Sequence, residues 1–318
     1  MSLLELMFAS SNSFSIFSPA APEARAIAHL FIVSLGICGA IFAVVAGLAV
    51  YNLARFRWRP GDETVQQIHG NRRLELIWTI VPALILAVLF ALTLRAMPLA
   101  DPPLPAPADV QVIGHQWWWE IRYAGSGVVT ANEIHIPIGR PISIQLDTVD
   151  VLHEFWVPQL TRKMTTVPNA GNHVWLEAEK AGVYEGLCSE FCGAQHAWMR
   201  FQVIAETPAD YARWAQTQLE RPATAAGQAL RGRELFRTLT CSNCHSIQGT
   251  AAGSTAGPDL THFASRRYLG ARVAANTAEN VRRWLRNPQA VKPGVLMPNF
   301  NLTDPELDEL TAYCESLK

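Results

Sequence analysis

Two stretches of the chain are apolar at almost every position. Leu30 to Leu53 runs for 24 residues without a charge, and Leu76 to Leu94 for 19. About 20 such residues let a helix cross a bilayer, so membrane helices are predicted at about 30–53 and 76–94. A buried hairpin in a soluble protein does not require charge-free runs of that length. Pro82 falls inside the second run, where membrane helices tolerate proline if neighbours satisfy the freed carbonyl. The connecting loop carries Arg55, Arg57, Arg59, Arg72 and Arg73 against Asp62 and Glu63. By the positive-inside tendency that loop faces the cytoplasm and both termini face outward. Residues 1–28 are rich in Ser and Phe, with no early Lys or Arg and with Glu5 interrupting the first apolar run. They match a secretory signal poorly.

Beyond the second run, Met97 to Asp109 is Pro-rich and reads as a stiff, extended exit from the membrane. The period then changes to two. Strands are expected at Val110–Ile113, Trp117–Tyr123, Val128–Ile136, Ile142–Leu146, His173–Glu177, Val183–Leu187 and Arg200–Ala205, separated by Gly, Pro and Asn. Val151–Pro158 reads as a strand end. Short strands at this spacing predict a β-sandwich. In the run Trp117-Trp118-Trp119, alternation turns Trp118 away from its two neighbours. Such a run serves as sandwich core and interface belt, or as a surface for electron entry. From Thr207 the pattern is helical, then becomes a linker near Arg221–Gly227. Helices are expected again at Gly232–Leu239 and Asp304–Leu317.

Net charge is −1 over 318 residues, which gives no reason to expect a nucleic-acid partner. The charge is unevenly placed. Residues 96–224 carry eight basic against fourteen acidic side chains, a net of −6, and residues 225–318 carry eleven against eight, a net of +3. The two later segments should attract one another. Six cysteines lie at 38, 188, 192, 241, 244 and 314. Cys38 and Cys314 are expected to be small buried residues, and the other four fall in two short metal-type motifs, so this is no disulfide framework.

The first motif is Cys188-Ser189-Glu190-Phe191-Cys192-Gly193-Ala194-Gln195-His196-Ala197-Trp198-Met199. Two thiols, an imidazole and a thioether within twelve residues suit copper better than magnesium or calcium. Two thiolates can bridge two metal ions, which lets one electron spread over both. His153 offers a second imidazole. A structural disulfide between Cys188 and Cys192 or a zinc loop are the plainer readings, but zinc gives no role to Met199.

The second motif is Cys241-Ser242-Asn243-Cys244-His245, the spacing of c-type haem attachment. Two thiols add to the haem vinyl groups and His245 becomes an iron ligand. A zinc knuckle would need a second Cys pair, and none follows. Met297, in the loop Pro293–Phe300, is the candidate sixth ligand. A Met/His pair raises the haem potential.

These residues and their order resemble the subunit II family of cytochrome c oxidases, in the caa type with a fused cytochrome c. The resemblance covers about residues 29–318. It implies a multidomain fold: a two-helix transmembrane hairpin at 29–96, a Greek-key cupredoxin sandwich at 97–206, a linker at 207–228 and an all-α class I cytochrome c at 229–318. It implies a binuclear CuA centre held by His153, Cys188, Cys192, His196, Met199 and the backbone carbonyl of Glu190, whose carboxylate would reach a magnesium shared with subunit I. Cys241, Cys244, His245 and Met297 would hold covalent haem c. Trp117 matches the family's exposed electron-entry tryptophan, and Glu75, at the start of the second membrane helix, matches a glutamate at the mouth of a proton channel. A capping or interfacial acid is the plainer reading of Glu75.

The implied activity is electron relay from haem c to CuA and on to subunit I, where dioxygen is reduced and protons are pumped. The implied partners are subunits I and III, membrane lipid, and cytochrome c or a quinol–cytochrome c reductase as donor. The implied location is the bacterial inner membrane, with the metal domains on its outer face. Three residues depart from the family pattern: Arg162, Thr165 and Asn169 stand where Gly, Asp and Gly are usual. The rival readings are the CuA subunit of a nitric oxide reductase, a membrane-tethered copper carrier and a quinol-oxidase-type scaffold.

Overall fold

The computed structural model describes residues 14–58, 70–101 and 107–318. They form two compact units, one around residues 25–102 and one that joins the start of the chain to residues 103–318.

The first unit is a pair of long helices, α1 (Pro22–Arg55) and α2 (Arg72–Ala100). At 34 and 29 residues they span roughly 51 and 43 Å at 1.5 Å per residue, more than the ~30 Å hydrocarbon core requires. Their large apolar side chains, from Phe42 and Leu53 to Leu84 and Phe90, face outward. Both helices outrun the expected bounds. Met97–Ala100, expected to be extended, is instead the last turn of α2, which the Asp101 N–H closes onto the Met97 carbonyl at 3.0 Å. Pro98 removes a single donor and does not stop it. Cys38, expected to be buried, is exposed on α1. The expectations for residues 1–13, for Arg59, Asp62 and Glu63, and for residues 102–106 lie outside the described residues.

The second unit opens with a strap. The Ala20 N–H donates to the Gln159 carbonyl at 2.8 Å, the Glu179 N–H donates to the Ala20 carbonyl at 3.1 Å, and Ala21 and Ala24 join the sandwich core. The sandwich has two five-stranded sheets. Their orders are β3-β2-β1-β5-β8 and β4-β10-β9-β6-β7, with β1 (Val110–His115), β2 (Trp118–Tyr123), β3 (Val129–Ala131), β4 (Glu133–Pro137), β5 (Ile142–Thr148), β6 (His153–Trp156), β7 (Met164–Thr166), β8 (His173–Leu176), β9 (Gly182–Cys188) and β10 (Arg200–Glu206). Val128–Ile136, expected as one strand, is two strands in different sheets. Asn132 makes the break with φ of 60°, a region Asn tolerates, and its carboxamide oxygen accepts the Trp119 N–H at 2.9 Å.

Trp119, Phe155 and Phe201 form the aromatic centre of the core, with ring centroids 4.6–5.7 Å apart. Gly186 is required there, because a Cβ would lie 2.3 Å from the Phe201 ring. α3 (Pro208–Thr217) then lays Tyr211 and Trp214 against the sandwich. The remainder is helical: α4 (Gly227–Thr238), α5 (Ala278–Arg286), α6 (Pro288–Val291) and α7 (Asp304–Ser316), with one small pairing of Tyr268–Leu269 and Ala274–Ala275. α4 and α7 cross at Gly232, where a Cβ would sit 2.0 Å from the Glu309 carbonyl oxygen. Phe236, Leu310 and Tyr313 fill the space beside that crossing. Cys314 is buried as expected, and burial pushes its thiol up to about 12.

Candidate metal and haem sites

Strand pairing builds the first site. β6 runs antiparallel to β9 with Phe155 opposite Cys188, which brings His153 beside the end of β9. The chain then turns through residues 189–199, and the Cys188 N–H closes the loop on the Met199 carbonyl at 3.0 Å. Cys188 Sγ and Cys192 Sγ lie 3.7 Å apart as free thiols. His153 Nδ1 is 3.9 Å from Cys188 Sγ, and His196 Nδ1 is 3.6 Å from Cys192 Sγ. Met199 Sδ is 3.8 Å from Cys192 Sγ, and the Glu190 carbonyl oxygen is 3.3 Å from Cys188 Sγ. The donor atoms of His153, Cys188 and Cys192 all lie within 4.8 Å of one another.

The surroundings aim these groups. Both imidazoles turn Nδ1 inward, and His153 Nε2 pairs with Asp150 Oδ1 at 2.9 Å. A carboxylate behind a ligating histidine fixes its tautomer and raises its basicity. Gly114 lies so close that a Cβ would come 2.5 Å from His153 Cδ2. Glu154 accepts from the Ser189 hydroxyl at 2.5 Å and braces the loop from outside. Burial opposes a charged His153, but its hydrogen bonds to Asp150 and Cys188 outweigh that and raise its proton affinity. The hydrogen bond from Cys192 holds the Cys188 thiol well below its usual range. The same contact, with burial, pushes Cys192 up, because its loss of a proton would set a second negative charge beside the first.

Trp117 departs from expectation. It precedes β2 rather than starting it and is 8% exposed, not a surface residue. Its indole N–H donates to the Cys192 carbonyl at 2.8 Å, beside a second donor, Gln116 Nε2, also at 2.8 Å. Its ring joins the sandwich core and lies against Gly193, and Lys292 Nζ of the haem-motif domain donates to the Trp117 carbonyl at 3.0 Å. Trp119 turns into the core as alternation requires, and Trp118 stacks on His115 at 4.1 Å instead.

The second site starts just after α4. Cys241 lies in a short turn with Asn243, followed by Cys244 and His245. His245 Nδ1 contacts the Pro258 carbonyl oxygen at 2.8 Å, a bond that needs the proton on Nδ1 and leaves the Nε2 lone pair for a metal. Burial lowers the proton affinity of His245, which keeps the ring neutral as a ligand must be. Gly257 leaves room beside that ring, where a Cβ would lie 2.8 Å from Cε1. Met297 lies in the loop between α6 and α7, and Trp284 Nε1 donates to its sulfur at 3.1 Å. The donors of the first site suit copper, and Cys241, Cys244 and a neutral His245 suit haem attachment, while the sulfur of Met297 is engaged by Trp284.

Local pattern did not single out Asp150, Glu154, Gln116 or Lys292, because their partners are set by folding. The three departures have structural explanations. Arg162 reaches back to Glu23, whose Oε1 also accepts from Thr161 Oγ1 at 3.1 Å and from the Arg162 N–H at 2.9 Å. Asn169 holds φ of 57°, the region that glycine would otherwise supply. Thr165 sits in β7 with Oγ1 3.4 Å from Glu154 Oε1. Glu75 lies in the first turn of α2, its N–H on the Asn71 carbonyl at 2.9 Å, in the position of a helix-start acid.

Replacing Asp150 with Ala should weaken copper binding about 10- to 100-fold while leaving haem content unchanged. Competition against a calibrated chelator measures this, and unchanged affinity would show that the carboxylate does not support His153.

Comparison with known proteins gives the family of the chain. The family model for the transmembrane domain of cytochrome c oxidase subunit II matches residues 9–96, the one for its periplasmic domain matches residues 126–206, and that for cytochrome c matches residues 229–318. Cytochrome c oxidase subunit 2 of Alkalihalophilus pseudofirmus is 36% identical, over 96% of this chain and 92% of that protein. The Bacillus subtilis protein of the same name is 31% identical, over 84% of this chain and 82% of its own. Quinol oxidase subunit 2 of Bacillus cereus is 31% identical, over 68% and 77%. These domains imply copper and haem as cofactors, a membrane anchor with a periplasmic domain, and other oxidase subunits as partners. The chain belongs to the cytochrome c oxidase subunit II family and carries a cytochrome c domain after the periplasmic one.

Proposed function

We propose that the chain passes single electrons from haem c, bound at Cys241, Cys244, His245 and Met297, to a binuclear CuA centre. That centre is held by His153, Cys188, Cys192, His196, Met199 and the Glu190 carbonyl. From there electrons go on to subunit I, where dioxygen is reduced and protons are pumped. When bound, the copper pair and the haem iron each gain and lose one electron at a time. The observation that carries this reading is the meeting of two loops. Residues 292–294, just ahead of Met297, rest on Trp117, Ala194 and Gln195. Six donors, the thiol pair included, are two more than a single tetrahedral ion uses, which favours two coppers over zinc.

The chain's own part is to hold these donors still and dry. His153, Cys188, Cys192 and Met199 are buried. His153 is fixed from behind by Asp150 and from the side by the Trp119 ring, 5.8 Å away. Donors fixed in this way need little rearrangement when charge arrives. The exposed side chains of Val149, Val151, Leu152, Phe191 and Trp198 flank the ligands. An apolar rim of that kind suits a partner subunit, and we assign it to subunit I. The exposed Glu190 carboxylate would hold the shared magnesium there. We place the hairpin in the bacterial inner membrane, the metal domains on its outer face, and a cytochrome c or a quinol–cytochrome c reductase as donor. A copper carrier or a quinol-oxidase scaffold has no use for the haem-attachment motif.

The assembled complex should consume oxygen with reduced cytochrome c, lose that activity with Cys192→Ser, and show no comparable turnover of nitric oxide. Nitric oxide turnover without oxygen uptake would make the chain a nitric oxide reductase subunit instead. We also propose that Glu75 helps proton entry into subunit I. Glu75→Gln should slow oxygen turnover and proton uptake together, and unchanged rates of both would leave Glu75 as a helix-start acid only.

A further inference from the structure

Lys292 stands apart among the charged residues of the second unit. It is 2% exposed, and its Nζ donates to two backbone carbonyl oxygens, Trp117 at 3.0 Å and Gly270 at 3.1 Å. One carbonyl belongs to the copper-type domain and the other to the haem-motif domain. From Trp117 the chain of hydrogen bonds continues through the indole N–H to the Cys192 carbonyl. Next to the lysine, the Pro293 carbonyl accepts from Gln195 Nε2, and Gly294 packs on Ala194. Met297 follows within the same loop.

A buried lysine without a carboxylate partner is disfavoured unless its N–H groups are used. Burial lowers its proton affinity from 10.5 to about 7. The ammonium has three N–H groups and the neutral amine two, so both forms can serve both carbonyls.

We propose that Lys292 is a positioning residue that latches the Met297 loop of the haem domain onto the electron-entry tryptophan of the copper domain through its paired hydrogen bonds to Trp117 and Gly270. This rests on the relay reading above. The Arg272–Glu185 ion pair and the Arg267 N–H on Glu133 Oε1 at 2.8 Å also join the domains, but through other residues than Trp117. The latch, with the neighbouring Gln195–Pro293 hydrogen bond, ties the two loops at the point where electrons cross.

The test uses the full, cofactor-loaded chain with Lys292→Met and Lys292→Gln, each accepted as folded by its haem content and copper spectrum. Two readouts are needed. Hydrogen exchange reports docking without any electron transfer. Amides at 116–118, 193–195 and 268–275 should exchange at least about tenfold faster in Lys292→Met, since two buried carbonyls lose their donor. Flash reduction of the haem should then show slower passage to copper, with a new dependence on ionic strength, and Lys292→Gln should recover part of the loss by serving one carbonyl.

Rescue by Lys292→Gln separates a latch from general loosening, since only a side chain that can donate restores a contact to Trp117 or Gly270. Unchanged exchange and rate in Lys292→Met would overturn the latch. No haem-to-copper transfer in the wild type would overturn the relay itself, whatever the exchange data show.

Discussion

The pairing of β6 with β9 is the constraint on which the copper-type site depends. His153 and the thiols are far apart in sequence, and only the register that sets Phe155 opposite Cys188 brings them together. That register is enforced by what lies beneath it. Phe155 packs on Phe201 and Trp119 in the core, and Gly186 gives way to the Phe201 ring. A slip of one residue would turn these aromatics outward and carry His153 away with them. The metal donors are thus held by the same packing that holds the sandwich together.

The second dependence runs between the two domains. A sandwich region of net −6 and a haem-motif region of net +3 attract at long range, but the contacts that form are short, mostly buried and specific. Glu133 is an example. Burial pushes its carboxyl up, while the Arg267 N–H and the Arg266 charge draw it back down. α3 contributes from the linker side, where the Gln218 carbonyl lies 3.1 Å from His262 Nε2. With its donor and acceptor sites tethered and docked, the chain need not wait for an encounter between them.

Much of this was legible in the sequence, because the chemistry-bearing residues are clustered. The loop from Cys188 to Met199 and the Cys241–His245 motif are short-range signals, and the charge-free runs announce the helices through length alone. What escaped was non-local. Asp150 stands three residues from His153 but reads as a loop acid until the turn folds. Lys292 reads as a surface lysine in a Gly/Pro loop, and only docking buries it. Asn132 breaks a continuous apolar run through its backbone conformation, which periodicity does not register. Arg162 departs from the family pattern, yet within this chain it is matched by Glu23. Trp117 reads as a surface residue, but its ring joins the sandwich core and its carbonyl is met by Lys292, 175 residues later.

The central claim, one chain holding a copper pair and a haem in series, is tested most directly by metal stoichiometry of the purified full chain, together with electron paramagnetic resonance of its oxidised form. Two coppers per haem, with hyperfine structure from one electron shared by both, is the result this account predicts. One copper or none per haem, or a signal confined to a single copper, would contradict it.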